Sequence, residues 1–573
     1  MCGFITYTNF NSQNLKNSQF QKLKNFNKHR GPDSIKLSTL NNNIILFRRL
    51  KIIDLSNKAN QPFENKTQNI QIVFNGEIYN YLEIKNELKR YKINFHTKSD
   101  TEVVLNSYIK WGIDFVNKLR GMFSIVIFDN KRKKILFFRD HFGQKPLYYS
   151  FYENGLIISS EIKDILFIKK KFELNQKSID KYLIRGWTDD SQETFFKDIH
   201  RLPAASYGEY TKKEFKIKRY WKLRYKDNDY NKDELKNVFY ENIKLHLRSD
   251  VPLAFTLSSG MDSSSILSTA LNCNIDNYKA FSIKTNYENE IDETKIIKKF
   301  VDKNSLKHQF FKFNYNDHTN LLEELIHNQD EPINHPSFVY QYLLRKEISK
   351  QGFKVLLTGE GGDEVFGGYN RMYAPYLIEN FLKSGKKIDK IFEKNMDEIS
   401  NFNQKKIKRK SIDIFKNFNK ICNDIEDESI FEILNLNNSE LSNKLKFYND
   451  TNPYNKNYYK NFLLNHLTCR DLPNILRQED RISMSQSIEN RSPMVDHKLI
   501  EYVFSLKSKY FMKDGITKFM LKDIMKDQLP NNFIINKKIG RPGAYSNIIY
   551  SNYLEKFIDL LNTNDFNIDL YNT

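Results

Sequence analysis

The chain has 573 residues, with 90 Lys or Arg against 70 Asp or Glu, a formal net charge of +20 at pH 7. That length accommodates roughly two to four domains with sizeable cores. The basic excess is dispersed among Asn and Ile, and its densest runs, KKIKRK (405–410) and KRKK (131–134), are short; they read as solvated faces and argue against nucleic acid as a partner.

Four cysteines, Cys2, Cys273, Cys422 and Cys469, are widely spaced and form no CxxC or Cys/His metal pattern, which favours free thiols in a reducing compartment. No apolar run approaches membrane-spanning length, and the N-terminus shows no charged-then-apolar leader pattern. The expectation is a cytoplasmic protein with no membrane partner.

The chain opens MCGFITY. Cys2 fits a small apolar residue at the start of a strand. It also fits a nucleophile: once the methionine is removed, one residue carries both a thiol and a free α-amine to take its proton. Short β-like runs follow up to about residue 220, among them NNIILFRRLKIID, NIQIVFNGEIYN, GMFSIVIFD, KILFFRD and GLIISSE, divided by Gly, Asn and Asp turns; they predict mostly antiparallel sheet. FNGEIYN ends an apolar strand with the carboxamide of Asn75 and the N–H of Gly76, both able to receive an oxyanion, although NGE also fits a hairpin turn. Arg49 could clamp an α-carboxylate in bidentate fashion or be a surface cation, and Asp100 could hold an ammonium.

From MCGF, HRGPD (29–33), RRLKIIDLS (48–56), QPF (61–63), NGEIYN (75–80), SDTEV (99–103), LRGMFSIVIFD (119–129) and RDHFGQKPLYY (139–149), residues 2–220 resemble a class II glutamine amidotransferase domain of the N-terminal-nucleophile hydrolases. The resemblance implies an α+β sandwich with αββα layers. It implies that Cys2 attacks a glutamine carboxamide and that Asn75 and Gly76 form the oxyanion hole. Arg49, Asn75, Glu77 and Asp100 would bind the glutamine, and ammonia would be the product.

A second unit begins near the amphipathic stretch KDELKNVFYENIKLHL. VPLAFTL and FKVLLTG are continuous apolar runs of the kind buried in parallel sheets, and each leads into a Gly/Ser-rich turn. TLSSGMDSS (256–264) then runs into helix-period residues: strand, tight loop and helix form the unit of an α/β nucleotide-binding domain. Its backbone N–H groups and the hydroxyls of Ser258, Ser259, Ser263 and Ser264 can cradle phosphate, or the turn can be a plain helix cap. An acid in a phosphate site makes sense beside a cation, so Asp262 points to Mg²⁺. LLTGEGGDEVFGGY (356–369) crowds five glycines and three acids into a turn, with Asp363 as the second magnesium ligand. Residues 370–460 are Lys/Asn-rich and read as a helical insertion.

These runs, with FSIKT (281–285), DEP (330–332), RQEDRISMSQSIENRSPMVDHKL (477–499), DGITKFMLK (514–522) and NKKIGRP (536–542), resemble the pyrophosphate-loop ATP pyrophosphatases, in particular the synthetase domain of the asparagine synthetase B family, over most of 230–573. The resemblance implies an α/β parallel-sheet domain in which ATP converts a carboxylate to an acyl-adenylate that ammonia then attacks. Leu257, Ile283, Thr358 and Gly359 match nucleotide-contacting positions, and Ser258, Ser259, Gly260, Asp262 and Ser263 the phosphate loop. Glu360 matches the acid that handles the ammonia proton, and Lys538 the lysine that neutralises anionic oxygen. An internal passage for ammonia and a homodimer are implied as well. The acceptor would be aspartate or another carboxylate, such as a sugar uronate, because DEPINHPSFVYQYLL lacks a TTIR-like run. Two positions depart from the family's usual pattern: Ser259 replaces a glycine, at a cost of about 1 kcal/mol if the site needs positive φ, and Arg541 stands where an aromatic is common.

Overall fold

A computed structural model of the chain describes residues 2–10, 17–40, 42–284, 293–312, 321–333, 338–369, 372, 375–376, 379, 458–513 and 516–535. Lys538 and Arg541 lie outside these residues, as does nearly all of the 370–460 insertion.

The N-terminal unit contains two six-stranded antiparallel sheets. The first holds β1 (Cys2–Thr8), β2 (Ser34–Leu40), β3 (Asn43–Arg49), β8 (Tyr148–Tyr152), β9 (Gly155–Ser159) and β10 (His200–Arg201), in the order β10-β8-β9-β1-β3-β2. The second holds β4 (Phe63–Asn65), β5 (Ile70–Ile78), β6 (Gly121–Asp129), β7 (Lys134–Arg139), β11 (Ser206–Thr211) and β12 (Phe215–Arg219), in the order β12-β11-β7-β6-β5-β4.

Strand alternation sorts the apolar side chains into layers. Cys2, Phe4 and Phe47 meet Val73, Val126, Phe128 and Phe137 between the sheets. The neighbouring positions, Ile5, Tyr7, Ile44 and Leu46, face outward onto Phe20, Leu23, Ile162 and Ile165 of the helices Asn17–Leu23 and Ile162–Lys169. On the far side Ile72, Phe74, Ile125 and Ile127 pack with Ile84, Val103 and Val104 of the helices Tyr81–Lys89 and Asp100–Trp111. Helix, sheet, sheet, helix is the αββα sandwich that the resemblance to the amidotransferases implies. Both faces of both sheets are covered, which is why strands such as GMFSIVIFD are apolar throughout rather than alternating.

The third sheet is parallel: β13 (Leu253–Thr256), β14 (Tyr278–Lys284), β15 (His308–Lys312), β16 (Val355–Leu357) and β17 (Glu489–Arg491), in the order β15-β14-β13-β16-β17. Leu253 and Phe255 point to one helical layer and Ala254 to the other. The chain moves from β13 to β14 on one side and returns to β16 on the other. The strand order therefore reverses at β13, and the crevice beyond the ends of β13 and β16 is where open α/β sheets bind ligands.

The two units meet through buried ion pairs. The Arg30 guanidinium lies 2.9 Å from both Glu161 and Asp480, and Lys145 is 3.4 Å from Asp480. Arg481 reaches Glu161 at 2.8 Å and Asp330 at 3.1 Å, and Lys163 reaches Asp330 at 3.3 Å. Arg201 grips Glu331 with two bonds of 2.9 and 2.7 Å, while Arg477 donates to Asp189 at 2.8 Å. The DEP acids thus answer basic side chains across the interface, Asp330 through Lys163 and Glu331 through Arg201. Removing one partner from such a pair leaves an uncompensated charge out of water. Arg201→Ala should lower unfolding stability by about 3–5 kcal/mol, read by urea denaturation; a loss below about 1 kcal/mol would show that the interface does not depend on it.

Candidate active sites

The first site forms where β1 begins. β1 runs antiparallel to β3 with Cys2 opposite Arg49, and the Cys2 backbone N–H donates to Asn75 Oδ1 at 3.1 Å. Asn75 is fully buried on β5, and its Nδ2 has no partner. A buried amide donor with nothing to bond is costly unless a ligand atom receives it. Beside it Gly76 has φ +150°, and a Cβ there would lie 2.0 Å from the Met122 carbonyl oxygen; β5 can sit this close to β6 only with glycine. Burial pushes the Cys2 thiol up, so the thiol needs a base.

The remaining residues of this site split. Asp100 starts its helix, accepts the Ile78 N–H at 3.1 Å, and is raised by burial to about 6. Glu77 is buried, with Oε1 unpartnered and Oε2 3.4 Å from Arg491; burial, with Asp100 nearby, pushes it well above the carboxylate range. Arg49 lies beside Cys2, but its terminal nitrogens donate to the carbonyls of Ile53, Asp54 and Ser56 and to Asn60 Oδ1. A carboxylate ligand at Arg49 competes with that loop.

Three residues here escape the sequence reading. Arg30 donates from Nε to the Cys2 carbonyl at 3.2 Å. Glu489 and Arg491 arrive from β17 of the parallel sheet; Glu489 opposes ionisation of Cys2 and Asp100. HRGPD and SIENRSP contain all three, but nothing local places them together.

The second site lies beyond β13 and β16. Leu257 follows β13 and is fixed by its N–H to the Phe281 carbonyl at 2.8 Å; Ser282, beside Ile283 on β14, donates to the Leu257 carbonyl at 2.6 Å. Ser263 Oγ accepts the Ser258 N–H at 3.1 Å, and the Gly260 N–H donates to Ser258 Oγ at 3.1 Å, coiling the loop ahead of the helix Met261–Leu271. Ser259 is absent from the left-handed residues. The serine in the first glycine position therefore carries no backbone strain, and the expected cost does not arise.

Beyond β16, the Thr358 N–H donates to the Arg491 carbonyl at 3.0 Å. A Cβ at Gly359 would come within 2.8 Å of the Ser263 nitrogen, and one at Gly362 within 2.4 Å of Asp262 Cγ. These glycines let the two loops touch and bring Asp262 and Asp363 together. Glu360 sits partly exposed in the same loop. Glu364 is buried, and burial with Asp363 beside it pushes it up to about 8.

The sequence reading also misses Lys518, whose Nζ lies 2.7 and 2.5 Å from the Asp262 oxygens and 2.7 Å from Asp363 Oδ1. Two carboxylates already converge on a cation, so the donor set fits a hard divalent ion. Among the described residues no three acidic, His or Cys side chains cluster to hold a metal alone. Two carboxylates completed by phosphate oxygens is the usual way Mg²⁺ is held beside a nucleotide.

Comparisons with known proteins agree with this division. The family described as glutamine amidotransferase domain matches residues 1–221, and the family described as asparagine synthase matches residues 234–567. The chain belongs to the asparagine synthase family. It is a carbon–nitrogen ligase of that family, with an amidotransferase domain ahead of the synthase domain. It is 28% identical to asparagine synthetase (glutamine-hydrolysing) 1 of Bacillus subtilis, over 95% of this chain and 87% of that one. It is 34% identical to a putative asparagine synthetase (glutamine-hydrolysing) 2 of Methanocaldococcus jannaschii, over 64% of this chain and 76% of that one. It is also 27% identical to an amidase of Penicillium rubens, over 89% of this chain and 82% of that one.

Asp100 gives this family member a pH signature. Its folded pKa of about 6 exceeds the unfolded value of 3.8, so the folded state binds more protons between these values and stability falls as pH rises through them. Asp100→Asn should therefore stabilise the protein at pH 7.5, by up to about 3 kcal/mol, and leave it nearly unchanged at pH 3.5. Equal effects at both pH values, read from thermal midpoints, would contradict the buried-acid assignment.

Proposed function

We propose that the chain is a glutamine-dependent asparagine synthetase. The observation that carries the reading is the pair of sites itself: a buried thiol beside an unpartnered Asn75 amide in one domain, and two carboxylates converging at a serine-rich phosphate loop in the other.

With Met1 removed, the Cys2 α-amine accepts the thiol proton and the sulfur attacks the glutamine carboxamide carbon. Asn75 Nδ2 and the Gly76 N–H receive the oxyanion. Asp100 and Glu77 hold the substrate's ammonium, and Arg49 its carboxylate. Collapse of the tetrahedral adduct releases ammonia and leaves a thioester, which water cleaves to glutamate. A substrate ammonium beside Glu77 and Asp100 favours their charged forms, reversing what burial does to them.

In the synthase domain, a carboxylate of aspartate attacks the α-phosphorus of ATP and pyrophosphate leaves. Leu257, Ile283, Thr358 and Gly359 bracket the nucleoside, and Ser258, Ser259, Gly260 and Ser263 hold the phosphates. A magnesium ion held by Asp262 and Asp363 offsets phosphate charge when bound. Ammonia attacks the acyl-adenylate, Glu360 takes its proton, Lys538 compensates the anionic oxygen, and AMP departs. Both acyl intermediates hydrolyse readily, so the route between the sites must exclude water. The compartment proposed is the cytoplasm; no helix among the described residues is long and apolar enough to cross a membrane.

A second reading keeps the machinery and changes the acceptor to another carboxylate. It is favoured by the relative named as an amidase. Purified protein with ATP, Mg²⁺, glutamine and aspartate should yield asparagine, glutamate, AMP and pyrophosphate; AMP release with a different carboxylate and none with aspartate would select the second reading. Cys2→Ala should abolish glutamine-driven synthesis, by at least about a thousandfold, and leave ammonia-driven synthesis intact. Loss of both in a folded variant would sink the two-site scheme.

A further inference from the structure

Lys518 and Glu293 do something at the phosphate loop that the reaction scheme does not use. The Lys518 ammonium lies within 2.7 Å of oxygens on both Asp262 and Asp363. On the other side of the loop, a Glu293 carboxylate oxygen accepts the Ser259 N–H at 3.2 Å. Each contact pairs a site group with a side chain of the same charge sign as the ligand expected there.

We infer that Lys518 and Glu293 are internal competitors for the divalent cation and the phosphate respectively, so that this site takes metal and nucleotide together and resists either alone. The inference rests on the Mg-ATP reading of the site.

The placement of Lys518 is not that of a casual surface cation. Its backbone is left-handed, with φ +54°, at the N-terminal boundary of the helix Phe519–Met525, a conformation that costs a non-glycine residue about 1 kcal/mol. The residue is 7% exposed. A Cβ at Gly368 would stand 2.1 Å from Lys518 Cε and 2.0 Å from Asp363 Oδ1, so that glycine clears the channel the lysine stem occupies.

The competition follows from distances. Mg²⁺ sits about 2.0–2.1 Å from its oxygen ligands. A divalent ion bridging Asp262 and Asp363 would lie within about 5 Å of an ammonium still hydrogen-bonded to the same oxygens, and the two cations would repel each other while sharing those acceptors. Lys518 therefore opposes a metal that binds both acids unless it withdraws. Free cation alone offers the displaced ammonium no new anion; a nucleotide's phosphates do. Glu293 works in the opposite sense. Phosphate arriving without its cation must displace a carboxylate from the Ser259 N–H and meets Asp262 and Asp363 as well.

The test uses the full-length protein and Mn²⁺ alone, followed by electron paramagnetic resonance, with no nucleotide present. Lys518→Met should bind Mn²⁺ about tenfold or more tightly than the parent, and Lys518→Arg, which keeps the charge, should bind it as weakly as the parent. Equal Mn²⁺ affinity for the parent and Lys518→Met overturns the inference. Lys518→Gln gives the same comparison should the methionine variant fail to fold. In the second arm, Glu293→Gln should bind ATP in EDTA several-fold more tightly than the parent; unchanged affinity removes Glu293 from the scheme. Failure of the parent to form AMP with any carboxylate would overturn the Mg-ATP reading, while the Mn²⁺ comparison still decides the role of Lys518.

Discussion

Arg30 holds this molecule at its joint. Its Nε donates to the carbonyl of Cys2, and one terminal nitrogen lies 2.9 Å from both Glu161 and Asp480. The candidate nucleophile, the wall of its own domain and a helix of the synthase domain are thus tied to one guanidinium with no exposed surface. Gly3 belongs to the same arrangement, since a Cβ there would lie 2.8 Å from Arg30 Cβ. The glycine behind the cysteine makes room for the arginine that fixes the cysteine's backbone. Guanidinium suits this post better than ammonium because its planar fork addresses several acceptors at once and stays charged when buried.

The second tie is β17, only three residues long. Glu489 projects its charge on Cys2 and Asp100, Asn490 donates to Thr358 Oγ1 at 3.3 Å, and Arg491 is 3.4 Å from Glu77 while its carbonyl receives the Thr358 N–H. One edge strand of the parallel sheet therefore touches the candidate glutamine site with two side chains and the candidate nucleotide site with the one between them. Strand alternation explains this: in an extended segment the first and third residues share a face and the middle one takes the other.

Much of this was legible in the amino-acid order. The antiparallel sheets follow from short apolar runs between turns, their αββα layering from the family resemblance, and the candidate phosphate loop from strand, Ser/Gly turn and helix. Cys2, Asn75 and Gly76 converge because the start of β1 meets β5, and the helix start at Asp100 is tied to the end of β5 by the Ile78 N–H. What could not be read is the pairing of distant charges. Arg30 and Asp480 are 450 residues apart, and no periodicity links them. The basic excess reads as solvated faces, yet Arg30, Arg48, Arg345, Arg481 and Arg491 are among the largest fully buried side chains. Lys518 was hidden for a similar reason. DGITKFMLK looks like an ordinary helix start, and only the fold brings its lysine to acids 256 residues away in one case.

The ion pairs at this interface have a physical consequence. An apolar interface tolerates sliding, because burial energy depends on area and hardly on register. A buried ion pair stabilises little on balance, but shifting it leaves charges unpaired at a cost of several kcal/mol. The interface here alternates sign along its length, from Lys145 and Asp480 through Arg30, Glu161 and Arg481 to Asp330 and Lys163. A displacement of one side chain's width sets like charges against each other at several of these contacts. Two chemistries that share a reactive intermediate, as proposed for this chain, need their sites in one fixed relation more than they need added stability, and a ladder of this kind supplies that relation.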